Sequence, residues 1–174
     1  MSKSPAEAED VWRTSVVKDF AASELFDRTF QEGMALVEET AAYLDGAGRQ
    51  ESKQLARKAA LAYASESMRL TTRLMQLASW LLVQRAVREG QMAPEEACRD
   101  RYRLTEDLFR PPAPDQAEQL PAGLLRLLDR ACKLYERVLH LDRRMYLEPS
   151  AASAENHPVL SQLDRLAAAF GGEG

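Results

Sequence analysis

The sequence predicts an all-α fold, an antiparallel three-helix bundle with a short extra helix after the second helix and a flexible C-terminal tail. Three observations carry this prediction. Residues that favour helices dominate the chain, no stretch alternates in the manner of a strand, and three long segments repeat apolar residues at helical spacing. We assign residues 1–22 to a weakly ordered N-terminal segment, 23–148 to the bundle and 149–174 to the tail, which contains a short amphipathic helix.

The first predicted helix begins after Ser23, a residue type that suits the N-cap position. Apolar residues then recur at steps of three and four, which places them on one face. They are Phe26, Phe30, Met34, Val37, Ala41 and Leu44. Gly46 and Gly48 end the helix, because glycine readily adopts the backbone conformation that closes one.

The second predicted helix runs from about Ser52 to Glu89, and Gly90 stops it. It carries two adjoining apolar stripes that together cover roughly 200° of its circumference. The stripes are Ala59, Tyr63, Leu70, Leu74, Leu77 and Leu81, and Leu61, Ala64, Met68, Met75, Ala78 and Leu82. So wide an arc needs at least two neighbours. The helix is also about 20 Å longer than the first, so a short helix, a kinked return or a second subunit must cover the overhang.

Prolines and the spacing of apolar residues predict the remaining elements. Pro94 with two acidic neighbours starts the short extra helix, which extends to about Leu104. Three prolines in residues 111–114 break the chain. The third long helix runs from about Ala122 to Leu147. Its inner stripe consists of Leu124, Leu128, Ala131, Tyr135, Val138 and Met145.

The tail combines a small, polar linker with apolar residues at helical spacing. Those residues are Val159, Leu160, Leu163, Leu166 and Phe170. A segment this short is not a stable helix alone. It either folds back as a fourth bundle helix or orders on binding another protein, and its apolar residues are therefore candidate partner contacts.

The narrow non-apolar face of the second helix is the other candidate binding surface. It consists of Glu66, Arg69, Arg73, Gln76 and Trp80, spaced by three or four. We favour packing within the bundle, with Glu66 paired to an arginine and Trp80 covered by the Cys98 region or a second copy. The alternative is a docking surface, because tryptophan and arginine are common interface anchors.

The sequence contains no recognisable active site or metal site. His140 lies four residues after Glu136, but the paired Glu-x-x-His motifs of a di-metal bundle do not occur. Residues 46–49 lack the strand and the ending of a phosphate-binding loop. Two cysteines make neither a disulfide framework nor a zinc site. We therefore expect a protein that is not an enzyme and uses no cofactor.

Composition also bears on partners and location. A net charge of −4 with interleaved acids and bases argues against nucleic-acid binding. No apolar run approaches the ~20 residues that span a bilayer, and the polar first ten residues do not form a signal peptide. The expected location is the cytoplasm, with no membrane contact.

Residues 32–92 resemble a known bacterial family, the regulator of CtrA degradation (RcdA). The segment most specific to that family, residues 68–82, reads MRLTTRLMQLASWLL. The third helix fits more loosely, through LYERVLHLDRRMY at residues 134–146. The stretches before Ser23 and after Pro149 carry little of the resemblance.

The resemblance implies a three-helix bundle that forms a homodimer and acts as a non-enzymatic adaptor in cell-cycle proteolysis. It implies that the protein partners are the protease ClpXP, a CpdR-like adaptor and cargo regulators such as CtrA. A rival from another class is a small-molecule-binding or enzymatic bundle that uses Arg69, Arg73 and Trp80 as a pocket wall. A deep, enclosed pocket at that face would favour the rival.

Overall fold

The computed structural model describes residues 5–106 and 117–147, and these two ranges are helical with no strand. The four long helices are α1 (Pro5–Ala21), α2 (Glu24–Asp45), α4 (Arg57–Arg88) and α6 (Ala122–Leu147). The short helices α3 (Ala47–Ser52) and α5 (Pro94–Ala97) and a 3-10 turn at Asp100–Tyr102 lie between them. The predicted all-α class is therefore confirmed.

Helices α2, α4 and α6 pack against one another as the predicted three-helix bundle. Buried apolar side chains form the centre of the bundle. They include Leu36, Leu70, Leu77, Leu81, Leu124, Leu134 and Val138. These residues belong to the stripes that face inward on each helix.

The helix ends agree with the sequence pattern at several places. Ser23 caps α2, because its Oγ accepts a hydrogen bond from the backbone N–H of Phe26 at 3.2 Å. Gly90 has a φ of 71°, the left-handed conformation expected of the residue that stops α4. The predicted bounds of the third long helix match α6.

Two predicted boundaries differ from the structure. The second predicted helix begins at Arg57 and not near Ser52, because residues 47–52 form α3. Gly48 lets α3 fold closely, since a Cβ atom there would lie 2.6 Å from both Tyr43 and Tyr63. The predicted short helix reaches only Ala97, and the chain continues as the 3-10 turn.

The long crossover between α4 and α6 sets the helix directions. Ion pairs of Asp27 with Arg88 and of Glu39 with Arg130 show that α2 runs antiparallel to both other helices. Arg73 of α4 contacts Cys132 of α6, and Trp80, later in α4, contacts Asp142, later in α6. Helices α4 and α6 are therefore parallel to each other, and α6 begins at the end of the bundle where α4 begins.

The N-terminal segment contains a packed helix that the sequence analysis did not assign. Helix α1 packs on α4, α5 and α6. Val17 and Ala21 are fully buried, and the Phe20 ring lies 5.7 Å from the ring of Trp80. The sequence pattern missed this helix because its apolar residues do not gather on one face.

The proline-rich break at residues 111–114 and the predicted flexible tail at 149–174 lie outside the described residues. The same holds for the five apolar tail residues, Val159, Leu160, Leu163, Leu166 and Phe170. Within the described ranges, no helix is long and apolar enough to cross a bilayer.

Candidate partner-binding surface

The polar face that the sequence singled out on α4 is mostly buried inside the bundle. Glu66, Arg73 and Trp80 each expose only 2 % of their surface. Gln76 is half-buried, and Arg69 is exposed. Arg69 pairs with Glu66 at 3.1 Å between Nη1 and Oε1. This face therefore meets α6 and its surroundings in the folded chain.

Trp80 is held by a buried polar network. Its indole Nε1 donates a hydrogen bond to Oδ1 of Asp142 at 2.8 Å. Oδ2 of Asp142 lies 3.4 Å from Nη2 of Arg103, which belongs to the crossover. Burial raises the pKa of the Asp142 carboxyl, and the hydrogen bond from Trp80 and the charge of Arg103 oppose that rise. The network ties α4, α6 and the crossover together.

The rest of the polar face makes similar contacts. Arg73 donates through Nη1 to Sγ of Cys132 on α6 at 3.0 Å. The Tyr135 hydroxyl donates to Oε1 of Gln76 at 3.2 Å and lies 2.7 Å from the backbone carbonyl of Thr105. These bonds explain how polar residues of a helix come to face a core.

The structure places Glu66, Arg73 and Trp80 in packing contacts within the bundle, where α1, α6 and the residues after α4 cover them. Contact of this face with a protein partner stays a prediction. Arg69 and the half-buried edge of Gln76 are the members of the predicted surface that remain accessible.

The opposite side of α4 is exposed and apolar. Leu61, Met68, Met75 and Leu82 are 66 %, 72 %, 66 % and 50 % exposed and are seven residues apart. Together with small neighbours they form one continuous face, which we call the α4 ridge. The α4 ridge consists of Leu61, Ala64, Ser65, Met68, Thr71, Thr72, Met75, Ala78, Ser79 and Leu82. It contains no charged residue.

Two grooves flank the α4 ridge. An apolar groove of about 160 Å³ separates it from α2, with Val37, Ala41 and Leu44 on its far wall. On the other side a groove of about 600 Å³ lies between α4 and residues 100–105 of the crossover. Both are open to solvent, so the surface is a ridge between two shallow depressions and not an enclosed pocket.

Six of the α4 ridge residues belong to the second predicted apolar stripe, which we expected neighbours to cover. In the described part of the chain α2 and α6 cover the other side of the helix instead. The sequence alone does not show which of the two stripes of α4 is exposed, because both are apolar. The exact seven-residue spacing of its four large residues was the available signal, because such a repeat is typical of a helix that meets another helix.

The described residues offer little to catalysis or metal binding. No group of three His, Cys, Asp or Glu side chains within them is placed to hold a metal ion. His140 is exposed on α6. Burial raises the pKa of both thiols, Cys98 and Cys132, which disfavours the reactive thiolate.

Comparison with known proteins identifies the relatives of this chain. A family model described as "Protein of unknown function (DUF1465)" matches residues 17–170. The crystal structure of RcdA from Caulobacter crescentus CB15 is 67 % identical in sequence, with a TM-score of 0.63, and the match covers 75 % of this chain and 98 % of that chain. No curated protein matches the chain. The resemblance seen in residues 32–92 is thus confirmed, and the chain belongs to the RcdA family.

Proposed function

We propose that this protein is a non-enzymatic adaptor in regulated proteolysis. It helps deliver cell-cycle regulators such as CtrA to the ClpXP protease, together with a CpdR-like adaptor. The observation that carries the proposal is the 67 % identity to RcdA over nearly the whole of that chain. The proposal includes a cytoplasmic location and protein partners, without nucleic acid, membrane or cofactor.

The surface of α4 supports a role in protein binding. Monomeric proteins rarely leave a large continuous apolar patch in water, and such patches mark interaction sites. The α4 ridge extends over about 32 Å of helix without a charge. We propose that the protein forms a homodimer to which α4 contributes, since a second copy would cover this surface.

The C-terminal segment is the second element of the proposal. We expect residues after Pro149 to contribute to partner binding, through the apolar residues spaced at helical intervals between Val159 and Phe170. Ordering such a segment on binding costs a few kcal/mol. Its removal should therefore weaken delivery of a cargo without abolishing every contact.

The rival, a small-molecule or enzymatic bundle, loses its main support. Its pocket wall would need Arg73 and Trp80 to line an enclosed cavity, but both are buried and hydrogen-bonded to α6, and Trp80 contributes only to the wall of an open groove. The neighbouring groove of about 600 Å³ is open, and the described residues do not converge on an enclosed polar site.

The test is reconstituted degradation of CtrA by purified ClpXP and a CpdR-like adaptor, with and without this protein. We expect faster loss of CtrA when the full chain is present. The chain truncated after Glu148 should keep its thermal stability and lose much of that acceleration. ClpX trapped with ATP should also co-purify cargo from native lysate only when the full chain is added.

Two outcomes would argue against the proposal. If the full chain leaves CtrA degradation unchanged at every concentration tested, the adaptor role is wrong. If truncation after Glu148 lowers the melting temperature by several degrees and leaves degradation intact, residues 149–174 are a structural part of the bundle and not a partner-binding element.

A further inference from the structure

A single row of basic residues runs along the solvent-exposed side of α6. Its members follow one another at steps of four and three, so they lie within about 80° of each other around the helix and span about 27 Å. We call this surface the α6 basic row. It consists of Arg126, Arg130, Lys133, Arg137, His140 and Arg144, all of which are exposed.

Two members of the α6 basic row join α6 to α2. Nη1 of Arg130 lies 2.6 Å from Oε2 of Glu39, and Nη2 of Arg137 lies 2.6 Å from Oε1 of Glu32. About half of each of these side chains is exposed. Exposed ion pairs add little to stability and exchange partners readily, so the same arginines can also bind carboxylates of another molecule.

The other members of the row do not connect α6 to another helix. Lys133 pairs with Asp129 of its own helix at 2.7 Å. The side chains of Arg126, His140 and Arg144 have no ion-pair or hydrogen-bond partner among the residues that the structure describes. Holding the bundle together therefore accounts for only two of the six positions.

Exposed carboxylates border the α6 basic row on both sides. Asp129 and Glu136 lie on the side away from α2, and Glu32 and Glu39 of α2 lie on the other. A nucleic acid or an anionic membrane presents negative charge over a broader surface than one row. Such a surface would meet these four carboxylates as well as the cations, so the row favours an acidic element no wider than one helix.

We infer that the α6 basic row binds an acidic helix of a protein partner. The inference rests on the proposed function, in so far as that function requires protein partners. A helix with carboxylates at steps of three and four presents them in one line, with the same spacing as the cations of α6. Arginine suits this contact because its planar guanidinium binds a carboxylate through two hydrogen bonds.

Two shallow grooves along the row provide room for partner side chains. A groove of about 410 Å³ lies between α2 and α6, beside Arg130 and Lys133. A second groove of about 560 Å³ lies toward the end of α6, where Leu139 adds an apolar surface beside His140. Arg137 lines both grooves, so they follow one another along the row. A helix on the row can place side chains in both.

The location of the row connects it with the C-terminal segment. Arg144 ends the row three residues before Leu147, after which the segment proposed to bind partners begins. One partner can therefore contact the row and that segment together. No residue of the row lies in the α4 ridge or lines the two grooves beside that ridge.

The first test uses a synthetic probe in place of the unidentified partner. The probe is a fluorescent, alanine-rich helical peptide with glutamates at steps of four and three, which we call the aligned peptide. A second peptide of the same composition has its glutamates distributed around the helix. By fluorescence anisotropy, the full chain should bind the aligned peptide about tenfold more tightly, and added salt should reduce that difference. Circular dichroism should show that both peptides are equally helical.

Substitution of the row should weaken binding of the aligned peptide. The triple change Arg126→Gln, Lys133→Gln and Arg144→Gln removes cations that do not join α6 to α2. We expect the dissociation constant to rise about tenfold, because three exposed charge contacts are lost. The melting temperature should stay close to that of the unchanged chain, which shows that the loss comes from the surface and not from unfolding.

A matched control removes the same number of cations elsewhere. Arg28→Gln, Arg57→Gln and Lys58→Gln alter exposed residues of α2 and α4. Arg28 pairs with Glu24 of its own helix, as Lys133 pairs within α6. This control changes the net charge equally and should leave binding within about twofold of the unchanged chain.

A charge swap tests direct contact. Lys133→Glu should weaken the aligned peptide, and a peptide with lysine in place of its middle glutamate should bind this variant better than it binds the unchanged chain. Three results would overturn the inference: equal binding of the two glutamate peptides, equal losses in the row variant and its control, or tighter binding of a DNA duplex or phosphatidylglycerol vesicles than of the aligned peptide.

These measurements are independent of the degradation assay. A chain that binds the aligned peptide through the row but does not accelerate loss of CtrA refutes the adaptor role and leaves the inference standing. A chain that accelerates loss of CtrA but does not distinguish the two peptides keeps the adaptor role and refutes the inference.

Discussion

The buried carboxylate of Asp142 gives the sharpest test of how α4 and α6 are held together. It accepts the indole N–H of Trp80 and pairs with Arg103, and its own side chain is only 1 % exposed. We expect Asp142→Ala to weaken the contact among α4, α6 and the crossover at once, because one side chain joins all three.

The size of the effect follows from what the substitution leaves behind. The indole N–H of Trp80 stays buried without an acceptor, which costs about 1–3 kcal/mol. Arg103 loses its partner, but its side chain is 22 % exposed and can turn toward water, so that loss adds only about 1 kcal/mol. The sum of about 2–4 kcal/mol lowers the melting temperature of a chain of this size by about 5–15 °C.

Thermal and urea unfolding followed by circular dichroism measures the change. Asp129→Ala is the matched control on the same helix, because its carboxylate is 58 % exposed and pairs only with Lys133 at the surface; it should stay within about 0.5 kcal/mol of the unchanged chain. Trp80 fluorescence, recorded with Trp12→Phe, should shift to the red. If Asp142→Ala is as stable as the control, the network does not hold the bundle.

The same carboxyl predicts a pH dependence. Burial raises its pKa above the unfolded value of 3.8. Its contribution to stability is therefore greatest below that value and is lost as the pH rises through the folded-state pKa. Asp142→Asn keeps an acceptor for Trp80 and does not titrate. The unchanged chain should gain stability relative to Asp142→Asn as the pH falls from 7 toward 4, and a constant difference over that range would contradict this.

Three further predictions concern packing and reactivity. Gly123→Ala should destabilise the fold by about 1–3 kcal/mol in urea, because its Cβ would lie 2.5 Å from the Tyr43 ring. Phe20→Ala should shift Trp80 emission to the red and lower the melting temperature, since the two rings are 5.7 Å apart. The Cys132 thiol should react with iodoacetamide more slowly in the folded than in the urea-unfolded chain, because burial raises its pKa.

The sequence predicted those elements whose signals are local. Ser23 and the apolar stripe after it placed α2, and the stripe of α6 gave its bounds. Features that depend on contacts between residues distant in the sequence could not be predicted. Trp80 and Asp142 are 62 residues apart, so nothing near Trp80 indicates that its polar neighbours face a core. Likewise, α1 has no single apolar face along its length, and its contacts with α4, α5 and α6 show where it packs.

The direction of α6 was not predictable for a related reason. Short connections between helices force neighbours to run antiparallel, whereas a long crossover permits either direction. Residues 89–121 are long enough to return along α4, and the proline-rich break gave no information about where they return. The parallel pair places the end of α6 far from the middle of the α4 ridge.

Helix α4 is apolar on both sides. Its core side carries Glu66, Arg73 and Trp80 beside the buried leucines, while Leu61, Met68, Met75 and Leu82 face water. Burying charged side chains is expensive unless they are paired, and each large apolar side chain left exposed forgoes about 1.5–3 kcal/mol of burial energy. A chain that only had to be stable alone gains nothing from this arrangement. In the proposed homodimer, pairing through α4 would recover this burial energy.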